Sequence, residues 1–236
     1  MNGEERPASA DRSELKRMAA EWAADRFVKN GMIIGLGHGS TAAFAVERIA
    51  ERLEEGTLKS ILAVPCSSEV ERMAERLGIP LTTLDIHPRI DLTIDGADEV
   101  DPDLNLIKGG GGALLREKVV ASASEREVIV VDYTKLSPNL GTRFPLPVEV
   151  IPFAVTLERR YLESLGAAVE LRGGDEPFIT DQGNAILDAR FGPIEDPAEL
   201  ARLLDSRPGI VCHGLFLDFT TDLVVANEGG VHHHQR

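Results

Sequence analysis

The chain has no apolar run long enough to span a bilayer. Its opening residues, MNGEERPASADRSELK, are charged where a secretory leader needs an apolar stretch. Cysteine is scarce. Cys66 and Cys212 stand far apart without metal-ligand spacing, which predicts reduced thiols in a cytoplasm rather than a disulfide framework or a zinc site. Positive charge is also short: 25 Lys and Arg against 39 Asp and Glu leave a formal net charge of -14. That balance argues against nucleic acid, whose phosphates need a basic face. The histidines form no HExxH pattern. His38 and His87 fall in loops, His213 in a strand, and HHH at 232–234 reads as a disordered tail.

What is present is a strand–helix rhythm. An amphipathic helix is expected over 13–29, with Leu15, Met18, Ala19 and Trp22 on one face and Gly31 as its stop. MIIGLG then reads as a buried strand and STAAFAVERIAERL as a helix, and SILAVP, SSEVERMAERLG, LTTLD and LTIDGAD continue the alternation. After a glycine run come ALLREKVVASAS and EVIVVD. This is the pattern of a Rossmann-like α/β fold, a mostly parallel sheet with helices on both faces. Beyond FPLPVEVIP the order becomes β-α-β-β-α-β, with a hairpin-like pair in PFITDQGNAILDARF, which predicts a smaller ferredoxin-like α+β domain. The expected division is 1–141 with 210–236 for the main domain and 142–209 for the smaller one, DLVVANEGG returning to the main sheet.

Four stretches can carry chemistry. GLGHGST, 35–41, follows a strand and opens a helix, where N–H groups and the helix dipole favour an anion. The dinucleotide fingerprint is broken by Ser40, and AVPCSS offers no acid for a ribose, so a single phosphate fits better. A tight turn with a Ser/Thr cap would look the same. DGADEVD, 95–101, puts Asp95 and Asp98 at the end of a strand that points into an α/β crevice. A calcium loop over DPDLN fails, because Leu106 and Gly112 occupy the positions of its Gly and its Glu. KGGGGALLREK, 108–118, sets four glycines between Lys108 and a helix bearing Glu117. Four glycines in a row are costly to order, roughly 0.5–1 kcal/mol each relative to Ala in regular structure. A close ligand justifies them better than a connector does. It is no P-loop, since the lysine comes first. DYTK, 132–135, places Lys135 at the same crevice edge.

Taken in order, GLGHGSTA, DGADEVD, KGGGGALLREK, DYTK, FPLPVEVIP, TDQGNAILD and PGIVCHGLF resemble the ribose-5-phosphate isomerases of type A along nearly the whole chain. The resemblance implies interconversion of ribose 5-phosphate and ribulose 5-phosphate, with neither metal nor organic cofactor, in a cytoplasmic homodimer or homotetramer. It implies Glu117 as the proton-transferring base, Asp95 as the ring-opening carboxylate, Asp98 as a hydroxyl partner and Lys108 beside the reacting oxygens. Lys16, His38, Gly39, Ser40, Thr41, Gly96, Ala97, Gly109, Gly110, Gly111 and Lys135 fall on the substrate-binding side. His38 departs from the family's usual threonine, exchanging a hydroxyl for an imidazole. That departure leaves a non-catalytic sugar-phosphate binder as the alternative, and an amino-sugar phosphate deaminase or a CoA transferase as a third reading.

Overall fold

The computed structural model describes residues 12–236; the charged opening residues 1–11 lie outside them. The first part of the chain runs α1 (Arg12–Phe27), β1 (Ile33–Leu36), α2 (Ala42–Glu54), β2 (Leu62–Pro65), α3 (Ser68–Arg76) and β3 (Leu92–Asp95). Two short strands, β4 (Glu99–Val100) and β5 (Leu106–Ile107), precede α4 (Leu114–Ser122) and β6 (Glu127–Asp132). Then come β7 (Leu146–Val150), α5 (Val155–Ser164), β8 (Ala168–Leu171), β9 (Ala185–Arg190), α6 (Pro197–Asp205) and β10 (Ile210–His213). The last are β11 (Leu215–Phe216), β12 (Asp222–Asn227) and β13 (Gly230–Gln235).

The main sheet has the order β13-β12-β6-β3-β1-β2, parallel throughout except for the edge strand β13. Its central strands are apolar on both sides because both faces are covered. Along β6 the two-residue period is plain. Val128 and Val130 join Leu15, Ala19, Ile34 and Ile49 on the α1–α2 side, while Ile129 and Val131 join Ala121, Phe216 and Val225 on the other. Each of these Val, Leu, Ile and Phe side chains, fully buried, stabilises by about 1.5–3 kcal/mol. Counted by sequence, the parallel strands run second, first, third, fourth, fifth. The direction of winding therefore reverses between β1 and β3, and that reversal opens a crevice at their C-terminal ends.

The smaller sheet, β10-β7-β9-β8, is antiparallel and joins the expected β-α-β-β-α-β sequence of elements. Its core gathers Val148, Val150, Leu162, Leu187 and Leu204. A third sheet, β11-β5-β4, lies at the junction.

Four expectations need correction. A boundary at 209/210 cuts the smaller sheet, because β10 still pairs with β7, Ile210 opposite Val150 and His213 opposite Val148. LTTLD forms one bridge, Ala63 with Leu81, and no strand; Pro80 has no N–H to extend the ladder. PFITDQGNAILDARF is no simple hairpin. Its only pairing within itself is the bridge Ile179–Ala185, and β9 pairs with β7 and β8 instead. His232–His234 lie in β13, where His233 bonds Asp222 Oδ1 at 2.7 Å and packs on Trp22 and Phe27, its ring centroid 5.6 and 5.4 Å from theirs.

Candidate active site

Asp95 ends β3 at the switch point, and Lys108 follows β5, its N–H held by the Gly214 carbonyl at 2.9 Å. The next four residues turn the chain into α4. Gly109 and Gly112 have φ of +106° and +84°, a backbone shape that side chains resist. Gly110 and Gly111 are glycine for want of room. A Cβ on the first would lie 2.6 Å from Asp98 Oδ1, and on the second 2.4 Å from the His38 ring. The Gly110 N–H donates to Asp98 Oδ2 at 2.7 Å. One turn into α4, Glu117 faces back toward the lysine.

At the centre Lys108 Nζ lies 3.0 Å from Asp95 Oδ2 and 3.1 Å from Glu117 Oε1, and it also donates to the Gly96 carbonyl at 2.5 Å. All three side chains are buried. Asp95 Oδ1 accepts the N–H groups of His38 at 3.0 Å and Gly96 at 2.7 Å. Burial pushes the Glu117 carboxyl up, Lys108 opposes it and Asp95 adds to it, leaving the group at about 8. Burial pulls Lys108 down, but Asp95 and Glu117 outweigh it and hold the ammonium charged. The result is a permanent cation against a carboxyl that exchanges its proton near neutrality.

The crevice above this group has a volume of about 90 Å³. Its wall is made by Lys16, His38, Gly39, Ser40, Thr41, Gly96, Ala97, Asp98, Lys108, Gly109, Gly110, Gly111, Glu117 and Lys135. Of the residues expected there, Asp95 alone is not in the wall; it stands behind Lys108. At the other end Lys16 Nζ reaches Ser40 Oγ at 3.0 Å. Thr41 precedes α2 without making a side-chain cap, while the Ala43 and Phe44 N–H groups donate to the Gly39 and Thr41 carbonyls at 3.0 and 3.2 Å. Lys135 ends a single turn that Asp132 caps through the Thr134 N–H at 2.9 Å. Among the described residues no group of three His, Cys, Asp or Glu side chains is arranged to hold a metal.

Several participants were not foreseen. Arg172, after β8, donates to the Gly109 and Gly110 carbonyls at 2.8 and 3.2 Å, while a bidentate pair with Asp188 fixes its guanidinium. Phe178 lies over Gly112, 2.4 Å from where a Cβ would be. Both come from the smaller domain, more than sixty residues downstream, and no local pattern marks them. Glu127, at the start of β6, is buried with neither carboxyl oxygen bonded among the described residues, and burial first, then Asp95, raises it well above the usual carboxylate range.

Residues 62–230 match the family model of ribose 5-phosphate isomerase A (phosphoriboisomerase A). A relative with that name from Chloroflexus aurantiacus is 57% identical, the match covering 94% of this chain and 93% of that one. Another from Desulfatibacillum aliphaticivorans is 54% identical over 92% and 95%. Among solved structures, ribose 5-phosphate isomerase from Plasmodium falciparum superposes with a TM-score of 0.92 at 40% identity, covering 95% of this chain and 99% of that one. A D-ribose-5-phosphate isomerase in complex with phospho-erythronic acid gives 0.93 at 39%, over 96% and 100%.

Proposed function

The chain belongs to the ribose 5-phosphate isomerase A family, and we infer from this that it interconverts D-ribose 5-phosphate and D-ribulose 5-phosphate. The observation that carries the site assignment is the contact of Glu117 with a buried, charged Lys108 at one wall of the crevice. In the ring-opened aldose, Glu117 removes the C2 proton and the C–H electron pair becomes the C1–C2 double bond of an enediolate. Returning the proton to C1, as the O2 hydroxyl proton passes to O1 and the C2 carbonyl forms, gives the ketose. A well-placed base of this kind contributes roughly 10²–10⁴-fold. Lys108 stabilises the charge on the enediolate oxygens, which is usually the larger effect.

Asp98 presents its free Oδ1 to the sugar hydroxyls. The resemblance gives ring opening to Asp95, yet Asp95 is enclosed and bonds to Lys108 and to the His38 and Gly96 N–H groups, behind the wall of the crevice. We therefore assign Asp95 to holding Lys108 and the loop amides, and Asp98 to the carboxylate contact with the ring. Lys16, Ser40, Thr41 and Lys135 take the phosphate side. A chain of formal charge -14 can bind this anion because one lysine at about 4 Å contributes roughly 4 kcal/mol at an effective dielectric near 20. Acids beyond about 8–10 Å are screened.

A non-catalytic binder would not need a buried base beside a buried cation, so the enzyme reading is preferred. Buried free cysteines, Cys66 and Cys212, suit a reducing cytoplasm, and no helix among the described residues is long and apolar enough to cross a membrane. A homodimer or homotetramer belongs to the same proposal. Phe153, 97% exposed, and Leu157, 59% exposed, supply apolar surface for it. The test is formation of ribulose 5-phosphate from ribose 5-phosphate with a chelator present. Turnover unaffected by the chelator is expected; no turnover contradicts the function, and loss with chelator contradicts its metal-free form.

A further inference from the structure

Ser67, just outside the crevice, contacts the His38 ring. It is the N-cap of α3, where its Oγ accepts the Val70 N–H at 3.1 Å. The same oxygen lies 3.0 Å from His38 Nδ1, and the residue is 3% exposed. Among the described residues Oγ has no other partner. A hydroxyl has one proton and two acceptor positions. With one position given to Val70, a protonated Nδ1 would take the other, and the buried hydroxyl proton would be left without an acceptor. Buried polar groups are seldom left so. The satisfied arrangement has the Ser67 hydroxyl donating to Nδ1, which leaves the proton of the neutral imidazole on Nε2.

Nε2 is on the crevice side. His38 is part of the wall, a Cβ on Gly111 would lie 2.5 Å from Nε2, and no group of the described residues bonds to that nitrogen. The backbone of His38 is fixed as well, by its N–H on Asp95 Oδ1 at 3.0 Å. We propose that Ser67 is a positioning residue that makes His38 a neutral N–H donor at Nε2, directed at an oxygen of the bound sugar phosphate. This rests on the isomerase reading and adds a selectivity to it. An oxygen acceptor is taken at that point, whereas the ammonium of an amino sugar meets donor against donor.

The direct test is the protonation of the two ring nitrogens by ¹⁵N NMR on histidine-labelled protein, with His38→Ala identifying the signal. A proton on Nε2 is expected. Addition of inorganic phosphate alone, and of D-ribose alone, tells which oxygens are met: a shift of Nε2 with phosphate points to the phosphate, and with ribose to the hydroxyls. In kinetics, Ser67→Ala is expected to raise KM for ribose 5-phosphate several-fold with kcat nearly unchanged. Ser67→Thr should restore it, and Ser67→Ala should add nothing in a His38→Ala background. A proton on Nδ1, or no shift of Nε2 with any of phosphate, ribose and ribose 5-phosphate, would overturn the proposal. So would an equal rise of KM with and without His38. The spectra need no turnover, so a protein that fails as an isomerase is told apart from one whose His38 is set the other way.

Discussion

Glu117 Oε1 sits 3.1 Å from Lys108 Nζ, both side chains buried, and Glu117 Oε2 has no hydrogen-bond partner among the described residues. One oxygen is thus held by the cation and the other is left for a substrate proton. This pairing governs the predictions.

The first concerns pH. The base works only when ionised, and burial holds Glu117 protonated up to about 8. The ionised fraction grows as pH rises, so kcat/KM should climb through neutrality and level off above about 8. Lys108 stays charged over that range. Initial rates between pH 6 and 9.5 check the direction; a rate that falls on going from 6 to 8 contradicts it.

Lys108→Met removes the cation and leaves Asp95 and Glu117 facing each other. Breaking a buried pair in this way typically costs about 3–5 kcal/mol of stability. Loss of a group that stabilises an oxyanion lowers kcat by about 10²–10³-fold. Any residual activity should have its pH limb moved upward, since Lys108 is what holds Glu117 down. Thermal melts and rate profiles of the variant measure all three.

Gly111→Ala drives a methyl to 2.4 Å from the His38 ring. Overpacking of this kind costs roughly 1–3 kcal/mol. The melting temperature should fall and KM rise, and adding His38→Ala should recover much of the lost stability. A double variant no more stable than Gly111→Ala would place the strain elsewhere.

Arg172→Ala frees the Gly109 and Gly110 carbonyls, held at 2.8 and 3.2 Å, from the smaller domain. The glycine turn should loosen and kcat/KM fall, with Arg172→Lys giving little rescue because an ammonium lacks the fork that spans both the turn and Asp188. Steady-state kinetics of the two variants decide this.

Much of this architecture was written locally. MIIGLG, LTIDGAD and EVIVVD are short apolar runs that suit strands covered on both faces, and they became β1, β3 and β6. The glycine run, the aspartates and the lysines could be assigned to one crevice because each follows a strand whose C-terminal end must open there. Features that depend on distant partners were hidden. GIVCHGLF closes the β-α-β-β-α-β order, and its ladder with β7 shows that the boundary belongs after β10. The histidines of β13 look like a polar tail because an edge strand shows one side to water; Trp22, Phe27 and Asp222, which hold His233, lie elsewhere in the sequence. The enclosure of Asp95 arises from Lys108 and the His38 amide together. Arg172 bears no local mark of the turn it supports.

The most direct measurement is solvent exchange in deuterium oxide. The protein and its Glu117→Gln variant are incubated with ribose 5-phosphate while deuterium at C1 and C2 is followed by NMR and binding by calorimetry. The wild-type protein should form ribulose 5-phosphate and take up label, and the variant should bind the sugar phosphate yet exchange and isomerise about 10²–10⁴-fold more slowly. A variant that exchanges at the wild-type rate would show that Glu117 does not carry the proton.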